Sequence, residues 1–181
     1  MRPFLLFLLV PLLAACGDST GPVSTEEVGG VYQVCSLVFT PGGGTLPAVN
    51  VRTVVMDTTP TNPNPPRLTL STQVRDFELA YTPRNDVLVR RPGGTYEAGR
   101  NTVTLVFTDA VQVASTLLLP ARLRLDVQAS PKALQASEGQ DVHRVPRADY
   151  ARLAGISQTN LPTEIEGTVS GRFVITGSPC S

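Results

Sequence analysis

Ala121-Arg-Leu-Arg-Leu-Asp-Val-Gln-Ala129 alternates without a break: Leu123, Leu125 and Val127 fall on one side, Arg122, Arg124, Asp126 and Gln128 on the other. Successive side chains of a strand point to opposite faces, so this stretch predicts a strand with one dry face and one wet face. The same period recurs toward the N-terminus. Residues 102–108 put Val103, Leu105 and Phe107 on one face, and Phe77, Leu79 and Tyr81 alternate with Glu78, Ala80 and Thr82. Residues 67–74 alternate Leu68, Leu70 and Thr72 with Thr69, Ser71 and Gln73, while residues 49–56 line up Val49, Val51, Thr53 and Val55. Residues 110–119 predict a further strand, stopped by Pro120, and residues 86–97 predict one interrupted by a bulge or bend at Pro92-Gly93-Gly94. Residues 31–40 are apolar on both faces.

Turn chemistry separates these segments. Pro60, Pro63, Pro65 and Pro66 bar residues 58–66 from a sheet interior, and Gly42-Gly43-Gly44-Thr45 predicts a turn. After Ala129 the alternation stops, so residues 130–140 read as a loop. Residues 145–154 predict a short helix, with Pro146 near its first turn and Gly155 as its stop. Residues 164–176 predict one long strand with Val169, Phe173 and Ile175 on one face, kinked at Gly167 or Gly171. About nine short strands with one helix before the last predict an all-β antiparallel up-and-down barrel of about 8–9 strands, the alternative being a β-sandwich. The dry faces then share one interior.

The chain carries 15 basic and 15 acidic side chains, with Lys132 the single lysine, and it has no Trp. No basic stripe with interleaved aromatics is present, so no nucleic-acid partner is expected. Val, Thr and Leu dominate the rest, which favours strands.

The N-terminus carries a different signal. Met1-Arg2-Pro3 precedes the apolar run Phe4 to Leu13, followed by Leu13-Ala14-Ala15-Cys16-Gly17. A membrane span needs ~20 apolar residues, whereas this run has the length of a signal-peptide core. The segment resembles the bacterial lipoprotein signal, with Leu at −3, small residues at −2 and −1, and Cys at +1. The resemblance implies that residues 1–15 are a cleaved signal peptide and that Cys16 becomes the lipid-bearing N-terminus. The partner is then a lipid bilayer, held by two or three acyl chains where one alone anchors only marginally. Gly17 at +2, rather than Asp, implies the outer membrane. Residues 16–28 read as the lipidated Cys and a flexible tether, and residues 29–181 as the domain.

With Cys16 lipidated, Cys35 and Cys180 remain as an even pair in an oxidising compartment. Cys35 lies in the first predicted strand and Cys180 just after the last, and these strands are neighbours in a closed sheet, so a disulfide between them is expected. Closing so long a loop is worth ~4–5 kcal/mol in the chain-entropy account. Neither cysteine has a close-spaced ligand partner and His143 is the one histidine, so no metal site is expected.

Gly30-Val31-Tyr32 opening the first strand, Gly94-Thr95-Tyr96-Glu97 later, and the helix before the last strand together resemble the lipocalin-like, calycin-type small bacterial lipoproteins. Tyr32 stands where lipocalins usually carry Trp. The resemblance implies a β-barrel binding a small apolar ligand or lipid.

Candidate chemistry is sparse. His143, in Asp141-Val142-His143-Arg144, has no Gly-x-Ser-x-Gly or reactive Cys to act on, and reads as an exposed loop residue. Val54-Val55-Met56-Asp57-Thr58-Thr59 is similar to an aspartic-protease motif, but Thr59 replaces its Gly and no second copy supplies the partner carboxylate. Asp57 reads instead as a residue ending a strand at a turn. Gly42-Gly43-Gly44 lacks the Gly-Lys-Ser/Thr sequel of a phosphate loop, and Glu164 and Glu166 share one strand face as solvated carboxylates. The expectation is a non-enzymatic, cofactor-free envelope lipoprotein that binds a small apolar ligand. The alternative is a structural or protein-interaction domain with a filled core that contacts another envelope component.

Overall fold

A computed structural model describes residues 21–130, 132–136 and 142–180. In chain order the elements are α1 (Thr25–Val28), β1 (Gly30–Pro41), β2 (Val49–Asn50), α2 (Val51–Val55), β3 (Arg67–Leu70), β4 (Asp76–Ala80), β5 (Gly93–Ala98), β6 (Thr102–Phe107), α3 (Ala110–Leu117), β7 (Arg122–Ala129), β8 (Lys132–Ala136), β9 (His143–Pro146), α4 (Arg147–Ala154) and β10 (Glu164–Ile175). Eight antiparallel strands run β1-β3-β4-β5-β6-β7-β8-β10, and pairing of β10 with β1 closes them into a barrel. The two remaining strands are additions: β2 pairs with the far half of β1 and β9 with the near half of β10. The all-β barrel expected from the alternation is the fold, with the short helix α4 ahead of the last strand.

The interior is where the pattern puts it. Leu123, Leu125, Phe77, Leu79, Tyr81, Val103, Leu105, Phe107 and Phe173 are buried in one cluster, with Val127 and Ile175 packed against it. Register explains why they meet: Leu105 lies opposite Tyr96 on β5 and Leu123 on β7, and Val103 lies opposite Leu125. Close approach also fixes two glycines. A Cβ on Gly94 would sit 2.0 Å from the Val106 carbonyl oxygen, and one on Gly167 would sit 2.5 Å from the Phe39 ring.

β1 is apolar on both faces because it changes phase. Val34 pairs with Phe173 and Ser36 with Arg172, leaving Cys35 as an extra residue. Before this bulge Tyr32 and Val34 point inward; after it Leu37 and Phe39 do. The irregularity expected at Gly167 or Gly171 of β10 is therefore carried by its partner, since β10 runs unbroken from Glu164 to Ile175.

Four local readings are corrected. Residues 49–56 form only the two-residue β2 before turning into α2, where the Asn50 side chain accepts from the Thr53 N–H at 3.2 Å. Residues 110–119 form α3, not a strand. Asp109 caps it by accepting from the Gln112 N–H at 2.9 Å, and Val113 and Leu117, one helical turn apart, are buried. Of residues 86–97 only the part from Gly93 is strand, joined to the sheet upstream by the Tyr81–Arg90 bridge. Within the expected loop 130–140, Lys132–Ala136 is β8, paired with β7 on one side and β10 on the other.

The expected tether also ends early. Ser24 and Glu27 cap α1 reciprocally, the Ser24 N–H donating to Glu27 Oε2 at 2.6 Å and the Glu27 N–H to Ser24 Oγ at 3.1 Å. Val28 then enters the core, and Tyr32 Oη donates to its carbonyl at 2.5 Å. The Val23 N–H reaches the Gly99 carbonyl at 2.9 Å and Lys132 Nζ the Gly29 carbonyl at 2.8 Å. This segment therefore covers the barrel end where the β3–β4, β5–β6 and β7–β8 turns lie.

Candidate functional site: the helical end of the barrel

The other end is built from the segments that depart from the strand pattern. The long strands β1 and β10 project past their barrel partners there, and β2 and β9 extend them. α2, α3 and α4 lie across this end, with buried Val51, Val113, Leu117, Tyr150 and Ala151 facing inward. α3 stops at Leu118, whose φ of 52° is left-handed, and Leu119 and Pro120 are buried after it. His143 holds that stop: its Nε2 lies 2.8 Å from the Leu118 carbonyl oxygen, and its ring meets Phe39 edge-on at 5.3 Å. His143 is thus a half-buried residue of β9, not the exposed loop residue read from its neighbours.

Two clefts open at this end. The larger, about 560 Å³, lies between the arm 81–92 and helices α3 and α4. Tyr81 is buried at its base, its phenol pushed up by burial while a hydrogen bond with Thr116 pulls the other way. Arg90 and Arg91 come from the arm, Gln112 and Thr116 from α3, and Arg152 from α4. Asp86 organises the arm. It accepts from the Val87 N–H at 2.7 Å, the Leu88 N–H at 3.1 Å and Arg90 Nη2 at 2.9 Å. Those bonds, the Leu88 N–H first, hold its carboxyl below the ordinary carboxylate range. Arg91 donates to Glu78 at 2.5 Å, and Arg152 donates to the Ser115 carbonyl at 2.7 Å and Asp149 at 3.2 Å. The second cleft, about 400 Å³, runs beside α3 past Val111, Ala114, Leu119 and Pro120 to His143, Arg144 and Glu164.

The residues singled out from sequence are placed as follows. Cys35 and Cys180 form a disulfide with Cα atoms 5.3 Å apart. It straps the C-terminal segment along β1, where Gln33 Nε2 also donates to the Ser178 carbonyl. Cys16 lies outside the described residues. Asp57 accepts from the Thr59 N–H at 3.0 Å and hydroxyl at 2.8 Å, bonds that lower its pKa and make it a turn residue. Glu164 and Glu166 are exposed on one face of β10, Glu166 beside Arg144 at 3.4 Å. Among the described residues no three His, Cys, Asp or Glu side chains gather as metal ligands. Sequence reading gave no role to Arg90, Arg91 or Arg152. The adjacent arginines between Asp86 and Pro92 were visible, but Arg152 joins them only through the packing of α4.

No protein-family model, no curated protein and no solved structure matches this chain.

Proposed function

We propose that this protein is a non-enzymatic, lipid-anchored component of the bacterial envelope, attached through Cys16. On this reading its calycin-like barrel is a filled scaffold that presents the helical end as a recognition face, away from the bilayer. One observation carries the reading: the chain arriving from Cys16 docks at the end opposite both clefts, through Val23 on Gly99 and Val28 in the core. From Cys16 to Gly21 the chain spans at most ~17 Å at ~3.4 Å per residue, so the α1 end stays near the membrane. The other reading, an apolar ligand inside the barrel, needs volume where Tyr32, Tyr96, Leu68, Leu105 and Phe173 now lie fully buried. The most exposed large apolar side chains among the described residues support the same orientation: Val87, Leu88 and Val111 belong to the helical end, whereas Val74 and Val31 lie toward the α1 end and are less exposed.

Two measurements test this. Mass spectrometry of the mature N-terminus should find a diacyl- or triacyl-modified Cys16, and Cys16→Ser should abolish it; an unmodified Cys16 or another start ends the anchoring. In proteoliposomes with brominated lipids, a fluorophore on Val74→Cys at the α1 end should be quenched and one on Leu88→Cys should not. Equal quenching, or stronger quenching at Leu88→Cys, overturns the orientation.

A further inference from the structure

We propose that the larger cleft binds a small ligand bearing an oxyanion, a carboxylate or a phosphate, gripped by Arg90, Arg91 and Arg152. This deepens the reading of the helical end as the recognition face and rests on it. The cleft's volume, about 560 Å³, falls in the range of small-molecule sites. Its wall carries three guanidinium groups and one carboxylate, Asp86. That carboxylate is already occupied by two backbone N–H groups and Arg90, so it shapes the arm and does not compete for a ligand's donors.

The partners of the other two arginines stand outside the wall. Glu78 holds Arg91 and Asp149 holds Arg152, and neither carboxylate lines the cleft. Each guanidinium has five N–H donors and uses one nitrogen for the bonds described, leaving the remainder of a planar fork for a second acceptor. Guanidinium forks on the wall of one cleft, backed by carboxylates, are suited to an oxyanion, which accepts bidentate charge-assisted bonds. Tyr81, Val55 and Pro83 complete the base and sides, giving a small apolar body somewhere to rest. All three arginine side chains are about half exposed, so the attraction should be modest and weakened by salt.

Calorimetric titration of the full-length protein in low-salt buffer at pH 7 tests the assignment with succinate, inorganic phosphate and succinamide, which has the shape of succinate without its charge. Saturable binding of at least one anion, none of succinamide, and a loss of ~10-fold or more in both Arg91→Gln and Arg152→Gln would support it. Which anion binds distinguishes a carboxylate ligand from a phosphate. Arg122→Gln, an exposed ion-pair residue on β7, should bind as the parent does. No saturation by ~10 mM with either anion, equal binding of succinamide, or undiminished affinity in the arginine variants would overturn the site. An unlipidated Cys16 would remove the anchoring without altering this titration, so the two proposals fail separately.

Discussion

Leu125→Ala should be among the most costly single truncations in this domain. Leu125 is fully buried on β7, opposite Val103 on β6 and flanked on its own face by Leu123 and Val127. Removing three carbon atoms forfeits about 2.4 kcal/mol of transfer free energy at ~0.8 kcal/mol each. A cavity term adds to this when the surroundings cannot collapse. Here they cannot move far, because the circumference is fixed by eight strands hydrogen-bonded in a closed ring. The expected loss is therefore in the upper part of the ~2–5 kcal/mol range for such changes, or a fall of roughly 10 °C in melting temperature for a domain this size. Urea unfolding should show a lower midpoint with an unchanged slope, as both states keep their compactness. Arg122→Ala, on the same strand but facing solvent with Glu97 as its partner, is the control and should leave the midpoint within error. If the two variants move the midpoint equally, Leu125 is not a core residue. A small loss in Leu125→Ala together with stronger binding of apolar dyes would identify it as a cavity wall and return the function to a ligand within the barrel.

Two further outcomes follow from the same packing. Protein unfolded without reductant should show no alkylatable thiol at Cys35 or Cys180, and reduction should lower the melting temperature. The closed loop spans 145 residues and is worth at most about 5 kcal/mol in the chain-entropy account; two free thiols would refute the strap. Tyr32, Tyr81, Tyr96 and Tyr150 are all pushed above the ordinary phenol value by burial. Burial favours the neutral form, so their contribution to stability is fully present below pH ~10 and is lost as pH rises above it. Phenolate absorbance at 295 nm should thus appear together with alkaline unfolding, and a hyperbolic titration near pH 10 in folded protein would contradict their burial.

The barrel was legible because its strands have one dry face and one wet face, which writes a period of two into the sequence. β7 shows this most openly, with Leu123 and Leu125 buried between exposed Arg122 and Arg124. β1 was legible as a strand but not in its phase. An apolar run on both faces is the trace that a bulge leaves when it moves the buried positions from Tyr32 and Val34 to Leu37 and Phe39. β8 was not legible at all: Lys132-Ala-Leu-Gln-Ala136 is rich in alanine, a poor strand former, and only the need to bridge β7 and β10 makes it a strand.

Apart from β8 in the barrel wall and α1 at the opposite end, the misread elements gather in one region. α2, α3, the arm 86–92 and the half-buried His143 all belong to the helical end, where β-branched sequences such as Val51-Arg-Thr-Val-Val55 and Ala110-Val-Gln-Val113 alternate as strands do and yet form helices. Signals for those helices existed in the capping residues Asn50 and Asp109 and in Pro120, but the alternation outweighed them. Local preference and final structure agree around most of the ring, β8 excepted, and disagree more over its helical end, where Leu118 also holds a left-handed backbone. Disagreement between local preference and final structure is the kind of departure expected at functional or strained regions. Both clefts open in that same region. The departure from local rules and the concave surface thus fall together at the end proposed above as the recognition face.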